Sequence, residues 1–220
     1  DGNGCAISEE VVVTSNPLPT VTVSDVEVCD GELATISAIP GTSGNYNYSW
    51  TVPPGATPPG NVATFDTTIA GPYKVIIIDQ NAPFCESIEV AGTVTVNPLP
   101  EATIAVSDVE ICMNTSATIT FTGSSGTAPY TFEYNINGGA TQTVVSSGTG
   151  NIAEIAIPTD IAGVFNYTLI NVIDGSISAC NQTKNEAVSV TVEELPTVQS
   201  ENDCIAALSG DKVIGVVAQR

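Results

Sequence analysis

The chain has 220 residues, 24 acidic against 4 basic side chains and no histidine, so its net charge is 4 − 24 = −20. Such an acidic surface argues against nucleic acid and against anionic membrane as partners. No stretch approaches the roughly 18–20 apolar residues of a membrane-spanning helix, and without histidine neither a Ser-His-Asp triad nor a Cys-His pair can be assembled.

A short linker recurs along the chain. It reads Asn16-Pro17-Leu18-Pro19, then Asn97-Pro98-Leu99-Pro100, then the degenerate Glu193-Glu194-Leu195-Pro196. The intervals are 97 − 16 = 81 and 193 − 97 = 96 residues, the period of a tandem array of domains. A β-branched run precedes each copy: Val11-Val12-Val13-Thr14, Thr93-Val94-Thr95-Val96 and Val188–Val192. An extended stretch follows each copy and leads to Cys29, Cys112 or Cys204. Proline fixes its own φ and biases the residue before it to extended backbone, so Pro-Leu-Pro is a stiff seam. The leucine between the prolines is expected to pack against a flanking domain.

These seams divide the chain. Residues 1–16 read as the last loop and strand of a preceding domain, because Asp1–Cys5 matches Asp79–Cys85 and Asp174–Cys180. Residues 17–98 and 99–194 read as two complete domains, and 195–220 as the start of a following one. Within that last piece, residues 213–217 would be a second strand. Residue 1 falls inside a repeat unit, so targeting segments are expected outside residues 1–220.

In the first complete domain, Thr20–Val28 alternates and reads as the opening strand. Leu33–Ile39 follows, then a Pro40-Gly41 turn. Tyr46, Tyr48 and Trp50 alternate at period two, which puts an aromatic face on one strand. Pro53-Pro54-Gly55 and Pro58-Pro59-Gly60 mark an irregular loop. Ala63–Thr67, the nearly continuous apolar run Tyr73–Ile78 and Gly92–Val96 complete about seven short strands. The second domain repeats the plan with Thr103–Ile111, Ala117–Phe121, Tyr130–Ile136, Gln142–Val145, Ile152–Ile157, Gly163–Val172 and Ala187–Val192. Phe132 stands where the first domain has Trp50. Short strands without helical periodicity predict an all-β chain of tandem immunoglobulin-like sandwiches.

Each complete domain has one cysteine after its opening strand and one after its penultimate strand. The matching positions predict intradomain disulfides Cys29–Cys85 and Cys112–Cys180, with Cys5 and Cys204 partnered in neighbouring domains. No CxxC occurs, which argues against zinc. Paired disulfides imply an oxidising, extracellular setting. Trp50 is expected to be buried beside the Cys29–Cys85 bridge, as the core tryptophan of an immunoglobulin sandwich is.

Ile69-Ala70-Gly71-Pro72-Tyr73, running on to Asp79, resembles the AGxYxVxLxVxD strand of PKD-like domains. Trp50-Thr51-Val52-Pro53-Pro54-Gly55 replaces the usual WDFGDG stretch of that family. Pro129-Tyr130-Thr131-Phe132 and the Pro-Leu-Pro seams resemble the Ig-like repeats of very large cell-surface adhesins of Bacteroidota, of the gliding-motility type. That resemblance implies cell adhesion at the bacterial surface and export by a type IX system.

Gly148-Thr149-Gly150-Asn151-Ile152-Ala153 fits G-x-G-x-x-A, but a dinucleotide site needs a helix next. Glu154–Pro158 reads as a strand, so a glycine-rich hairpin is expected. The paired glutamates Glu9-Glu10 and Glu193-Glu194 sit beside seams on alternate faces and do not form a catalytic pair. The chain is read as non-enzymatic, without an organic cofactor. Asp25 and Glu27 share a strand face after one seam, Asp108 and Glu110 repeat them after the next, and Asp203 echoes them. These carboxylates are the candidates for an oxygen-ligated calcium at a domain junction; the competing reading is a solvated acidic face. Asn47, Asn114, Asn166 and Asn181 head N-x-S/T sequons, and Asp66-Thr67-Thr68 resembles an O-glycosylation signal used by Bacteroidota. The expected partners are neighbouring repeats of the same chain. The alternatives are a module that binds surface glycans and a subunit of an assembled filament.

Overall fold

The computed structural model describes residues 9–13, 15–81 and 83–195. Cys5, Asp203, Cys204 and the strand expected at 213–217 lie outside the described residues. No helix occurs among those that are described.

The first sandwich comprises β1 (Val21–Val23), β2 (Val26–Cys29), β3 (Ala34–Pro40), β4 (Tyr46–Thr51), β5 (Thr64–Thr67), β6 (Gly71–Asp79) and β7 (Val90–Asn97). Its sheets run β1-β3-β5 and β2-β7-β6-β4. The opening strand expected over Thr20–Val28 is therefore two strands. β1 pairs antiparallel with β3, whereas β2 crosses to the other sheet and pairs parallel with β7. Asp25 holds the crossing, its Oδ1 accepting the Thr93 N–H at 2.8 Å. Gly92 lies against the same crossing, where a Cβ would sit 2.7 Å from the Ser24 carbonyl oxygen. A larger residue there would push β7 off the break.

Period two decides what each strand buries. Ala34, Ile36 and Ala38 of β3 face inward, as do Tyr73, Val75 and Ile77 of β6. The Tyr73 hydroxyl donates to the Ile69 carbonyl at 2.9 Å, four residues upstream. That is the tyrosine corner of immunoglobulin sandwiches.

The second sandwich comprises β8 (Glu101–Val106), β9 (Glu110–Cys112), β10 (Thr118–Ser124), β11 (Thr131–Ile136), β12 (Gln142–Val145), β13 (Ile152–Ala156), β14 (Gly163–Ile173) and β15 (Asn181–Glu193). The orders are β13-β10-β8 and β12-β11-β14-β15-β9. Again the first strand splits, and β9 pairs parallel with β15. β12 adds an edge strand beside β11 that the first sandwich lacks. β15 begins six residues before the expected Ala187, because polar Asn181–Glu186 extends the ladder with β14. No named strand pairing crosses from one sandwich to the other.

Candidate functional site at the seam between the sandwiches

The parallel pairings fix where the cysteines lie. Cys29 ends β2 and is in register with Asn97, the last residue of β7. It therefore sits at the pole where the chain leaves the first sandwich. Cys85 lies in the β6–β7 connection, before β7 begins, at the opposite pole. β7 has 8 residues, and at about 3.3 Å per residue it separates the two poles by about 25 Å. A disulfide needs Cα atoms within about 7 Å. The expected Cys29–Cys85 bridge is thus sterically closed. The same holds in the second sandwich, where Cys112 is in register with Glu193 at the end of β15 and Cys180 precedes its start.

Cys29 instead bonds Cys180 of the next sandwich, with 5.5 Å between Cα atoms and a sequence separation of 151. The disulfide is inter-domain, and the intradomain pairings Cys29–Cys85 and Cys112–Cys180 are corrected by it. Cys29 is 6% exposed and Cys180 is fully buried. Cys85 and Cys112 are free and half-buried.

The seam residues close around this bridge. The Asp30 N–H donates to the Asn97 carbonyl at 2.8 Å, tying the end of β2 to the linker. The Cys29 N–H donates to the Glu32 carboxylate at 3.1 Å. On the other side, the Asp174 N–H donates to the Cys180 carbonyl at 2.9 Å. The Asp174 carboxylate takes the N–H groups of Thr127 and Ser176 and is itself buried. Pro100 is buried and Leu99 half-buried, whereas Leu18 and Leu195 are exposed, so the expectation that each seam leucine packs against a flanking domain fails at the outer two seams. Gln182 donates to the Pro100 carbonyl and to Glu101, and Lys184 pairs with Glu101. Polar residues at the start of β15 thus brace the start of β8.

The calcium candidates are placed differently from a shared cage. Asp25 is engaged by Thr93, and the Glu27 carboxylate accepts from Asn97 Nδ2 at 2.5 Å. Asp108 and Glu110 are exposed at the β8–β9 break. Among the described residues, no three such acidic or cysteine side chains gather in one place. Gly148–Ala153 leads into β13, with the Gly150 N–H turned back to the Ser147 carbonyl at 2.8 Å. It joins β12 in one sheet to β13 in the other, rather than forming a hairpin. The four sequon asparagines are exposed. Trp50 is half-buried rather than buried. Its ring meets Phe65 edge-on at 5.0 Å and its Nε1 donates to the Val62 carbonyl at 2.8 Å. No disulfide lies beside it, because Cys29 turns away to the next domain.

The split first strands, the parallel β2–β7 and β9–β15 pairings and the tyrosine corner define tandem immunoglobulin-like sandwiches. Solved structures agree. The chain is similar to a three-domain immunoglobulin fragment of titin, I67–I69 in an E-to-A mutated variant: TM-score 0.55 and 13% identity, over 84% of this chain and 69% of that one. The I-band fragment I67–I69 from titin gives 0.51 at 11% identity, over 82% and 66%. A weaker likeness, 0.43 at 15% identity over 80% and 64%, is to FdeC, described as an Escherichia coli adhesin. At these identities the likeness is one of fold. No protein-family model and no curated protein matches the chain.

Proposed function

We propose that this chain is a structural spacer, a segment of the stalk of a long extracellular adhesin that carries a binding tip away from a bacterial surface. The observation that carries the reading is the Cys29–Cys180 bridge across a proline seam. A covalent tie between consecutive sandwiches fixes the junction itself, which is what a spacer has to hold. A spacer gains a junction that neither hinges freely nor separates under load. The disulfide fits an oxidising, extracellular setting, and a charge of −20 opposes lateral collapse of domains on one another. The Pro-Leu-Pro seams and the Pro129-Tyr130-Thr131-Phe132 motif support an adhesin of the gliding-motility type exported by a type IX system. In this reading the chain performs no catalysis, and each sandwich adds about 30–40 Å of length at about 3.3 Å per strand residue.

Small-angle scattering on the oxidised chain tests this. An extended particle is expected, and reductant should broaden its distance distribution. A compact particle with laterally packed sandwiches sinks the spacer reading. The calcium clause is tested alongside: stiffening on added calcium that chelator reverses supports Asp25, Glu27, Asp108 and Glu110 as ligands, and indifference removes that clause alone.

A further inference from the structure

The two free cysteines repeat, residue for residue, the two halves of the bridged junction. Cys85 is built like Cys180. The Asp79 N–H donates to the Cys85 carbonyl at 3.0 Å, as the Asp174 N–H does to that of Cys180 at 2.9 Å. The residue before each has positive φ, 60° at Phe84 and 48° at Ala179. The N–H groups of Phe84 and Ala179 both turn back, to Asn81 and Ser176, at 2.9 and 3.0 Å. Asp79 and Asp174 each cap the following turn, at Asn81 and Ser176. Cys112 is built like Cys29. The N–H of the next residue reaches the last strand in both, Met113 to Glu193 at 2.9 Å and Asp30 to Asn97 at 2.8 Å.

The surroundings also match, except in cover. Cys85 opens on a cleft of about 490 Å³ lined by Pro17, Leu18, Pro19, Tyr46 and Asp79. The equivalent place beside Cys180 holds the disulfide to Cys29 of the first sandwich. Leu18 and Leu195 of the outer seams are 57% and 53% exposed, whereas Leu99 of the middle seam is half-buried.

We infer that Cys85 and Cys112 are the head and tail halves of further inter-domain disulfides, each made with an adjacent repeat of the same design in the same polypeptide. The tail cysteine of every repeat bonds the head cysteine of the next, and the head cleft at Leu18 receives the tail pole of the repeat before it. This offset accounts for the cysteine inventory. Cys5 matches the head cysteines and Cys204 the tail cysteines, so under this offset Cys29 and Cys180 are each other's partners and the partners of Cys85 and Cys112 lie in adjacent repeats. Each bridge forms by thiol–disulfide exchange with a disulfide oxidant. A thiolate attacks the oxidant and releases one thiol, then the second cysteine thiolate displaces the other. Two cysteine thiols lose two protons and two electrons, and the oxidant becomes two thiols. The inference deepens the spacer reading, but its chemistry stands or falls on its own.

The test joins residues 1–194 to a second copy of residues 17–220, which sets the tail pole of one copy before the head pole of the next. After refolding with oxidised and reduced glutathione, peptides are mapped without reduction. Cys112 of the first copy should be linked to Cys85 of the second, with Cys29–Cys180 formed in both. Cys112→Ser in the first copy should remove the new link and leave the others. Linkage of Cys85 to Cys5, of Cys112 to Cys204, or thiols at Cys112 and Cys85 beside intact Cys29–Cys180 bridges would overturn the inference. Loss of all these links overturns it too, since one geometry makes them all. A compact scattering profile with the new link present would count against the spacer reading only.

Discussion

In the first sandwich the buried apolar side chains fall into two groups. Val21, Ala38, Val75 and Ile77 form one; Ala34, Ile36, Tyr73 and Val94 form the other. Trp50 touches both groups from a half-buried position. In the second sandwich 13 buried residues form one cluster that includes Phe121, Tyr130, Phe132, Tyr134 and Tyr167. Phe121 and Phe132 stack with centroids 5.5 Å apart. The topology is shared, but the aromatic mass sits in the centre of the second sandwich and at the margin of the first. Buried apolar area is the main stabilising term in folding, so the second sandwich should be the more stable partner of the tied pair.

The comparison breaks most visibly at its matched aromatics. Phe132→Ala should destabilise the second sandwich by about 3–5 kcal/mol, the cost of emptying a filled core site. Trp50→Ala, at the equivalent strand position, should cost the first only about 2 kcal/mol, because part of its ring already meets water. Two linked domains need not unfold in one step, so each transition is followed by its own probe. Trp50 is the sole tryptophan and its fluorescence reports the first sandwich; near-ultraviolet circular dichroism in the Phe132→Ala background reports the second. Equal losses at the two sites would mean that the margin position of Trp50 is no weaker than a centre.

A smaller effect separates the corners. Tyr73 anchors β6 through its hydroxyl, bonded to the Ile69 carbonyl and shared with Thr67. Phe165 occupies the matching place in the second sandwich and has no hydroxyl to use. Tyr73→Phe should therefore cost the first sandwich about 1 kcal/mol, the net worth of such a hydrogen bond. Urea titration followed by Trp50 emission checks it. No measurable loss would show that packing of the ring alone holds the corner.

Much of this difference was legible in the residues. Period-two alternation at Tyr46, Tyr48 and Trp50 placed an aromatic face on β4, and Pro129-Tyr130-Thr131-Phe132 placed its counterpart on β11. The all-β immunoglobulin-like class followed from such runs and their turns. The disulfide did not follow. Matching positions in two repeats are equally consistent with pairing inside a domain and with pairing offset by one domain. The choice depends on the partner of β2, a contact some 70 residues away, and only the parallel register of Cys29 with Asn97 puts that cysteine at the seam. The break at Ser24-Asp25 was hidden for a related reason. Both halves of Thr20–Val28 alternate, so periodicity cannot show that they belong to different sheets. Gln182 and Lys184 were missed because polar strand residues that brace a linker look like a loop.

The smallest expected change has the opposite sign. Tyr167 is fully buried, and its hydroxyl meets no hydrogen-bond partner among the described residues. An unpaired buried hydroxyl is a penalty that its removal relieves. Tyr167→Phe should leave the second sandwich unchanged or stabilise it by up to about 1 kcal/mol, where Tyr73→Phe weakens the first. Burial raises the hydroxyl pKa of Tyr167 above its ordinary value of 10.0, with a further push from Tyr134, whose own pKa burial also raises. A folded-state pKa above the unfolded one contributes stability that is present below about pH 10 and is lost as pH rises through the folded value. The second sandwich should therefore lose stability as pH rises above about 10, with tyrosinate absorbance rising as its near-ultraviolet circular dichroism falls. Removing one of the two coupled hydroxyls should move that transition to higher pH. A Tyr167→Phe variant that is destabilised at neutral pH, or whose alkaline midpoint falls, would mean that the hydroxyl has a partner in solution and that the second core is held in the same way as the first.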